Sequence, residues 1–469
     1  MTRNEFLSHL RRQFPYSPTA LQELFFAQVT DFLSGSDDAL YVLKGYAGTG
    51  KTTSIAALVA ALETTRIKAV LLAPTGRAAK VIAGYSGRPA FTIHKKIYFP
   101  SKGGGGINFT RQQNKHKNTV FIVDEASMIS DTADVAGRDS LLDDLISYVY
   151  SSPGCRLILL GDTAQLPPVG MDISPALDTR ALEVGFGKDV ISIELDEVMR
   201  QENESGILYN ATLLRELLRE DVLPDFKFRL KGFRDIVRLS DGYEIQDAIE
   251  SAYGNYSIED TAFIVRSNKR AYLYNQQIRT RVLDRESEIS TGDYLMVVRN
   301  NYFWLKESDE AGFIANGDII EVLEIFSLKE LYGFRFAKVK VRMIDYPNQA
   351  PLETVLLLDT LASESPALTR EQYDMLYREV MEDYADERAQ YRKMQRLREN
   401  EYFNALQVKF SYAITCHKSQ GGQWQTVFIE QPYLPDGISR EYIRWLYTAG
   451  TRARERLYLI GFPDEYFTQ

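Results

Sequence analysis

At 469 residues and 45% hydrophobic content, the chain is too long for one compact domain, and two to four domains are expected. Its 64 Asp and Glu residues outnumber 55 Lys and Arg residues, so the net charge of −9 excludes a uniformly basic surface and confines any polyanion to a local channel. The two cysteines are far apart in the sequence and there are only four histidines, which argues against a disulfide framework or a zinc site. The sequence has no long apolar run and no signal-peptide core, and we therefore expect a cytoplasmic protein.

A surface helix is expected over residues 1–14, followed by a series of short β-rich apolar runs. These runs are predicted to be central parallel strands: Leu40–Leu43, Ala69–Ala73, Val120–Val123, Leu157–Leu160, Ala262–Val265, Val427–Ile429 and Leu457–Ile460. Helical patterns such as Thr52–Leu62 lie between most of them. This alternation predicts two α/β units, each a parallel sheet covered on both faces.

The alternation is interrupted twice, and each interruption is interpreted as an insertion. Residues 99–118 are glycine-rich and then basic, which predicts a hairpin or a mobile loop. Residues 322–407 begin with strand-like segments and continue into a charged stretch, where Thr369 and Gln372 have the spacing of a helix-capping pair. That stretch is either a solvated helical arm or a surface that contacts nucleic acid or a partner. The first α/β unit is then expected over 1–98 and 119–200, and the second over 201–321 and 408–469.

A glycine-rich string follows the first predicted strand and opens a helix, which is the context of a phosphate-binding P-loop. Glycines let backbone amides wrap around phosphate oxygens, while the helix N-terminus favours the negative charge. Lys51 is expected to reach the β and γ phosphates of a nucleotide, and the Thr52 hydroxyl to ligate Mg²⁺. The predicted nucleotide-contacting residues are Gly45, Ala47, Gly48, Thr49, Gly50, Lys51, Thr52 and Thr53.

Two acidic residues, Asp124 and Glu125, follow the strand at Val120–Val123. Asp124 is predicted to hold the metal, and Glu125 to orient and deprotonate the attacking water. The next strand ends in Gly161–Gly170, where Gln165 could contact the γ phosphate; alternatively, the two prolines make a rigid turn and Gln165 is incidental.

With these motifs, the chain resembles the superfamily 1 helicases, in the branch of RecD-like and phage Dda-like enzymes that move 5′ to 3′. The resemblance spans nearly the whole length. Its further motifs are Ala73–Ala79, Thr92–Lys95, Gly161–Gly170, Val198–Gln201, Asn316–Asp318, Tyr412–Gly421 and Tyr447–Ala453. It implies two RecA-like P-loop domains, with a small SH3-like β-barrel in the second insertion, extended here by the helical arm.

The resemblance also implies roles for residues outside the P-loop. Gln22 would recognise the adenine edge, with Gln28 as the weaker candidate. Arg200 and Arg452 would reach the γ phosphate from the second unit, because a guanidinium across a closing cleft stabilises the charge of phosphoryl transfer. Gln423 stands where many relatives have a glutamate that binds the ribose, and a glutamine at this position can still accept that hydrogen bond.

The single strand is expected to lie across both units, held by contacts that do not read sequence. The implied track residues are Pro74, Thr75, Thr92, His94, Ser267, Asn268, Thr415, His417 and Lys418. The two histidines have an alternative interpretation as hydrogen-bonded interdomain residues. The first insertion would be the wedge that splits the duplex, with Tyr98 or Phe99 as its aromatic residue.

The expected function is therefore that of an ATP- and Mg²⁺-dependent DNA helicase that acts on single strands and junctions in replication or repair. The expected oligomeric state is a monomer. An RNA-directed helicase and a non-unwinding, ATP-regulated single-strand binder are the alternatives that share its motifs. A P-loop switch or small-molecule kinase would share the phosphate loop, but it would not account for the distal Thr451-Arg452 motif.

Overall fold

The computed structural model describes residues 2–103, 106–132, 140–197, 205–220, 226–305, 312–435 and 437–468, with the backbone alone for 100–103 and 106–109. Arg200 and its motif, 198–201, lie outside the described residues. Within the described chain, every helix is too short or too polar to cross a bilayer.

The first α/β unit is built on a six-stranded parallel sheet. Its elements, with the hairpin strands β4 and β5, are α1 (Arg3–Gln13), α2 (Ala20–Ser34), β1 (Ala39–Gly45), α3 (Lys51–Leu62), β2 (Lys68–Ala73), α4 (Gly76–Ser86), β3 (Ala90–Thr92), α5 (Ile93–Ile97), β4 (Tyr98–Gly103), β5 (Gly106–Arg111), β6 (Thr119–Val123), α6 (Leu141–Tyr150), β7 (Arg156–Gly161), α7 (Thr179–Phe186) and β8 (Asp189–Leu195). The strand order is β3-β2-β6-β7-β1-β8. Strands β6 and β7 are buried along their whole length, which is why they are continuous apolar runs in the sequence.

The hairpin of the first insertion consists of β4 and β5, paired antiparallel from Tyr98 with Arg111 to Gly103 with Gly106. Its first strand therefore starts at Tyr98, one residue before the predicted boundary at 99. The stretch 112–118 is not part of the hairpin. It is a connection to β6, anchored where the Asn114 side-chain amide donates to the carbonyl oxygens of Tyr148 and Val149, both at 3.1 Å.

The middle of the chain begins the second unit and then forms the closed barrel. The elements are α8 (Gly206–Leu217), β9 (Ile236–Leu239), α9 (Gly242–Asn255), β10 (Thr261–Val265), α10 (Asn268–Gln277), β11 (Tyr294–Val297), β12 (Ile319–Leu331), β13 (Phe334–Met343), β14 (Leu352–Leu357), α11 (Asp359–Ala362), α12 (Arg370–Glu382), α13 (Gln390–Glu399) and β15 (Leu406–Phe410). Strands β11 to β15 close the barrel. It extends beyond the predicted range 322–407, because β11 pairs with both β12 and β15 to close the ring.

The charged stretch of the second insertion is a pair of helices, α12 and α13, folded back onto the barrel. Thr369 and Gln372 form the predicted capping box at the start of α12. Leu376, Val380 and Leu397 are buried in one cluster with Phe336 of the barrel. The prediction of a helical arm is thus confirmed, but only one side of it is solvated. Its other side is packed because apolar residues recur at helical spacing among the charges.

The chain then returns to the second parallel sheet. The last elements are β16 (Ala413–Thr415), α14 (Cys416–Ser419), β17 (Trp424–Glu430), α15 (Arg440–Gly450) and β18 (Ala453–Ile460). The strand order is β16-β10-β17-β18-β9, with all neighbours parallel. The predicted fold class, two RecA-like parallel-sheet units with a hairpin and a β-barrel insertion, is confirmed.

Candidate nucleotide site and nucleic-acid track

The phosphate loop joins β1 to α3 through residues whose conformation requires glycine. Gly48 and Gly50 have φ angles of 78° and 80°, in the region that favours glycine. A Cβ on Gly45 would lie 2.9 Å from the Lys51 Cγ, so glycine is also needed for the close approach of that side chain. The first amides of α3 have no carbonyl partner within the helix, and a helix start of this kind binds anions.

The side chains of the loop are held by its own carbonyl groups. The Lys51 ammonium donates to the Tyr46 carbonyl oxygen at 2.9 Å and also to the Gly45 carbonyl. The Thr49 hydroxyl is buried and donates to the Tyr46 oxygen at 2.8 Å. Thr52 and Thr53 lie half-buried in the first turn of α3. The Lys51 ammonium therefore lies over the phosphate loop, where it is predicted to contact the nucleotide phosphates.

The acidic pair Asp124 and Glu125 directly follows β6, in the same sheet as the phosphate loop. Parallel strands end at one edge of a sheet, so the order β6-β7-β1 brings these residues beside the loop. Burial and the neighbouring Glu125 raise the pKa of Asp124 to about 6, while the positive charges of Lys51 and Arg452 act in the opposite direction. Asp124 and the Thr52 hydroxyl supply the oxygen ligands that Mg²⁺ prefers.

Arg452, at the end of α15 in the second unit, reaches this acidic pair. Its Nη1 lies 3.7 Å from the Glu125 Oε1, and the guanidinium is almost fully buried. The Thr448 carbonyl accepts from its Nε at 3.0 Å, and the Gly422 carbonyl from its Nη1 at 3.3 Å. The arginine is thus held by its own unit while it faces the other.

Gln165 belongs to the loop after β7, which is fastened to the second unit. The Leu166 amide donates to the Thr448 hydroxyl at 2.9 Å, and the Gln420 side chain donates to the Leu166 carbonyl at 2.8 Å. Gln165 is buried, and its Oε1 has no hydrogen-bond partner among the described atoms. Burying an acceptor without a hydrogen-bond partner costs free energy. A bound ligand group that donates a hydrogen bond to the Gln165 Oε1 would remove that cost.

Tyr447 is a site residue that the sequence analysis did not single out. Its hydroxyl accepts from the Ala47 amide at 2.9 Å and donates to the Asp162 Oδ2 at 2.6 Å. A residue of the second unit therefore contacts the phosphate loop directly. The only signal in the sequence was its position inside the Tyr447–Ala453 motif.

The three glutamines suggested for contacts to the adenine or the ribose are placed differently. Gln22 is buried against the phosphate loop: its Nε2 donates to the Thr49 carbonyl at 3.0 Å, and its Oε1 accepts from the Thr19 amide at 3.0 Å. Gln28, the weaker candidate, accepts from the Tyr41 hydroxyl at 2.9 Å. Gln423 is exposed, and its Oε1 accepts from the Arg454 Nε at 2.9 Å.

The first half of the proposed track lies at the ends of the neighbouring strands β2 and β3. Pro74 and Thr75 follow β2, and Thr92 ends β3. The Thr75 and Thr92 hydroxyls cap α4 and α5 by accepting from the amides three residues later, both at 3.2 Å. These caps explain both threonines locally, and a phosphate contact would be an additional role.

The aromatic residues at the hairpin root differ in exposure. Burial lowers the pKa of His94, whose ring lies 5.5 Å from that of Tyr98. The Tyr98 hydroxyl donates to Asp144 at 2.7 Å, whereas Phe99 is 41% exposed. Phe99 is therefore the more accessible of the two candidate wedge residues.

The second half of the track lies at the ends of β10 and β16, which are also neighbours. Ser267 and Asn268 follow β10, Thr415 ends β16, and His417 and Lys418 lie in α14. Burial lowers the pKa values of both His417 and Lys418.

The two halves of the track meet at Gly421, which has a φ of 72°. A Cβ there would lie 2.8 Å from the Ala78 Cβ and 3.2 Å from the Thr75 hydroxyl oxygen. The first and second units are therefore in close contact along the line of the proposed track.

Known protein families match segments of both units. Residues 27–221 match the family described as AAA domain, and residues 410–460 match the UvrD-like helicase C-terminal domain. The ATP-dependent RecD2 DNA helicase of Deinococcus radiodurans is 33% identical over 185 residues, which is 39% of this chain and 22% of that protein. The ATP-dependent DNA helicase Dda of Enterobacteria phage T4 is 26% identical over 296 residues, covering 60% of this chain and 62% of that protein.

A solved structure of Pif1 helicase from Bacteroides, in complex with ADP-AlF3 and single-stranded DNA, aligns with 97% of this chain and 95% of that chain at 15% identity and a TM-score of 0.48. The matched segments span less than two thirds of RecD2 and of Dda.

Proposed function

We propose that this chain is a member of the RecD-like and Dda-like branch of the superfamily 1 helicases. It hydrolyses ATP between its two parallel-sheet units and moves 5′ to 3′ along single-stranded DNA to separate duplexes. The observation that carries the proposal is the approach of Arg452, from the second unit, to within 3.7 Å of Glu125 in the first. A catalytic site shared by two units couples its chemistry to their relative motion.

We assign a separate role in ATP hydrolysis to each residue around the phosphate loop. Lys51 and the loop amides bind the β and γ phosphates, Glu125 orients and deprotonates the attacking water, and Gln165 contacts the γ phosphate. Arg452 neutralises the charge that spreads over the phosphoryl oxygens, and we assign the same role to Arg200. Thr52 and Asp124 would hold Mg²⁺, which when bound would neutralise phosphate charge.

The nucleotide state reaches the track through contacts that cross between the units. The loop containing Gln165 is bonded to Gln420 and Thr448, and Gly421 adjoins Thr75. Closing and opening of the nucleotide site would therefore shift the two track halves against each other. If they grip the strand alternately, each cycle gives one directed step.

The proposal is tested by strand displacement on duplex DNA that carries either a 5′ or a 3′ single-stranded tail. We expect ATP-dependent displacement from the 5′-tailed duplex only. Lys51→Ala should abolish ATP turnover and displacement but keep single-strand binding, whereas the exposed Lys231→Ala should behave as wild type.

Displacement from the 3′ tail alone would overturn the polarity. ATP turnover that DNA stimulates, without displacement from either tail, would favour an ATP-regulated single-strand binder, and stimulation by RNA alone would favour an RNA-directed helicase. Monomeric action, a cytoplasmic location and a role in replication or repair stay predictions.

A further inference from the structure

A basic cavity of about 250 Å³ lies at the root of the hairpin, outside the nucleotide site and the proposed track. It is lined on one side by Lys95 and Lys96 of α5. On the other side it is lined by the connection that leaves β5, with Gln112, Gln113, Lys115 and His116. Among the described residues that line it, none is a carboxylate. This concentration of cations contrasts with the net charge of −9 of the whole chain.

One wall of this hairpin-root cavity, the connection after β5, is fixed by hydrogen bonds. The Gln112 amide donates to the Ile97 carbonyl at 2.7 Å, and its side chain donates to the Tyr98 carbonyl at 2.6 Å. The His116 amide donates to the Asn114 Oδ1 at 3.0 Å, and Asn114 is itself anchored to α6. The connection that carries Lys115 is therefore fixed against the hairpin root and α6.

Two of the lysines that line the cavity lie beside the same aromatic ring. The Lys95 and Lys96 ammonium groups lie 6.0 and 5.4 Å from the centre of the Phe91 ring, which supports both side chains. Burial lowers the pKa of Lys96, and burial together with Lys96 and Lys68 lowers the pKa of His116. A bound anion would offset the cost of burying the Lys96 charge, and lysines bind phosphate groups as point charges.

The position of the cavity relates it to the fork. His94 of the proposed track and Lys95 and Lys96 of the cavity follow one another on α5, where successive side chains point in different directions. The hairpin begins at Tyr98, directly after α5, and its second strand leads back to the cavity residues 112–116. The track residue His94 and the cavity residues Lys95 and Lys96 therefore share one short helix at the hairpin root.

Resting on the proposed function, we propose that the hairpin-root cavity binds the phosphodiester backbone of the strand that the hairpin excludes from the track. The site needs no base recognition, because lysines and side-chain amides contact phosphate oxygens of any sequence. Holding the excluded strand would oppose its return to the tracking strand.

The test compares binding of three fluorescent DNAs: a single strand, a duplex with a 5′ tail only, and a fork with both tails. In Lys96→Gln/Lys115→Gln we expect fork affinity to fall about 10-fold, and the slope of log K against log salt to decrease by about 1.5. Affinity for the single strand and for the 5′-tailed duplex should stay within about twofold of wild type. Lys227→Gln/Lys231→Gln, which removes two exposed lysines elsewhere, is the matched control.

Because Lys96 is half-buried, Lys115→Glu on the exposed connection provides a second variant that leaves the helix unchanged, and melting curves check both. Equal losses on the fork and the 5′-tailed duplex would overturn the proposal, since the cavity would then hold duplex phosphates. A loss on the single strand alone, or wild-type binding to all three DNAs, would also overturn it. Failure of the wild-type protein to displace strands would instead count against the proposed function.

Discussion

The backbone amide of Ala47 donates a hydrogen bond of 2.9 Å to the hydroxyl of Tyr447, 400 positions further along the chain. The same hydroxyl donates to Asp162 at 2.6 Å, so one side chain of the second unit joins the phosphate loop to the strand end of β7. Tyr447 is buried, and the pKa of its hydroxyl is raised by burial and by Asp162, which keeps it protonated as a donor.

Tyr447→Phe should slow ATP turnover in the presence of single-stranded DNA by about 5- to 10-fold, because a lost hydrogen bond of about 1 kcal/mol at the interface misplaces the phosphate loop. The KM for ATP should change less than kcat. Steady-state ATPase assays with and without DNA measure both effects.

The control for this change is Tyr442→Phe on the same helix. Tyr442 is equally buried, but its hydroxyl donates to Gln431 at 2.5 Å, within the second unit. Equal effects of the two substitutions on DNA-stimulated turnover would show that Tyr447 acts only through the packing of α15.

Arg452→Lys should reduce kcat by about 100-fold while nucleotide affinity changes little. Lysine keeps the positive charge, but it cannot bond Thr448 and Gly422 while presenting a second N–H towards Glu125 and the phosphate. Single-turnover ATP hydrolysis, together with equilibrium binding of a fluorescent nucleotide, separates the two effects.

Arg456→Lys, at an exposed position of β18, serves as the matched control and should keep normal turnover. Full activity of Arg452→Lys would contradict the prediction. It would show that a positive charge alone is sufficient at this position, or that the residue has only a structural role.

The Mg²⁺ affinity of the nucleotide site should fall as the pH drops through about 6. Burial and Glu125 raise the pKa of Asp124 to about 6, so its carboxyl takes up a proton at a higher pH than an ordinary aspartate does. The proton competes with the metal, and the affinity should therefore decrease about 10-fold per pH unit below that value. Mg²⁺ titrations of the nucleotide-bound protein between pH 5 and 7.5 measure it.

Asp124→Asn should bind Mg²⁺ weakly and should lose the part of this pH dependence that comes from the carboxyl, because asparagine has no proton to exchange in that range. Only the pH dependence of the nucleotide phosphates should remain. An affinity that begins to fall only near pH 4, where ordinary carboxyl groups titrate, would contradict the assignment to Asp124.

Leu397→Ala should destabilise the barrel and its helical arm by about 3 kcal/mol, since it removes a buried side chain between α13 and the barrel. Amide hydrogen exchange in β13 and β14 measures the local effect, with β6 and β7 of the first sheet as internal reference. Tyr391→Ala changes a 77% exposed residue of the same helix and should alter the exchange rates little. Unchanged protection in Leu397→Ala would mean that the arm is not docked in solution.

Much of the fold could be predicted because its signals are local. Each predicted strand core lies inside a parallel strand of the structure, since a strand buried on both faces must be apolar along its length. Thr369 and Gln372 could be identified as a capping box because both partners lie within one helical turn. The phosphate loop is equally local, and its glycines follow from backbone angles that other residues rarely adopt. The limits of the barrel were less accurate, because β11 joins it through pairing with strands much later in the chain.

The sequence by itself determined the two sheets, the phosphate loop and the acidic residues beside it, because hydrophobic period, turns and caps act over a few residues. Only the tertiary structure decided that Tyr447 bonds Ala47, that the arm docks on the barrel, and that α5 and the connection after β5 enclose a basic cavity. Such contacts depend on how separately formed elements are oriented in space. Local periodicity does not determine that orientation, because many arrangements of the same helices and strands bury the same apolar faces. Only the packing of all the elements together favours one of these arrangements.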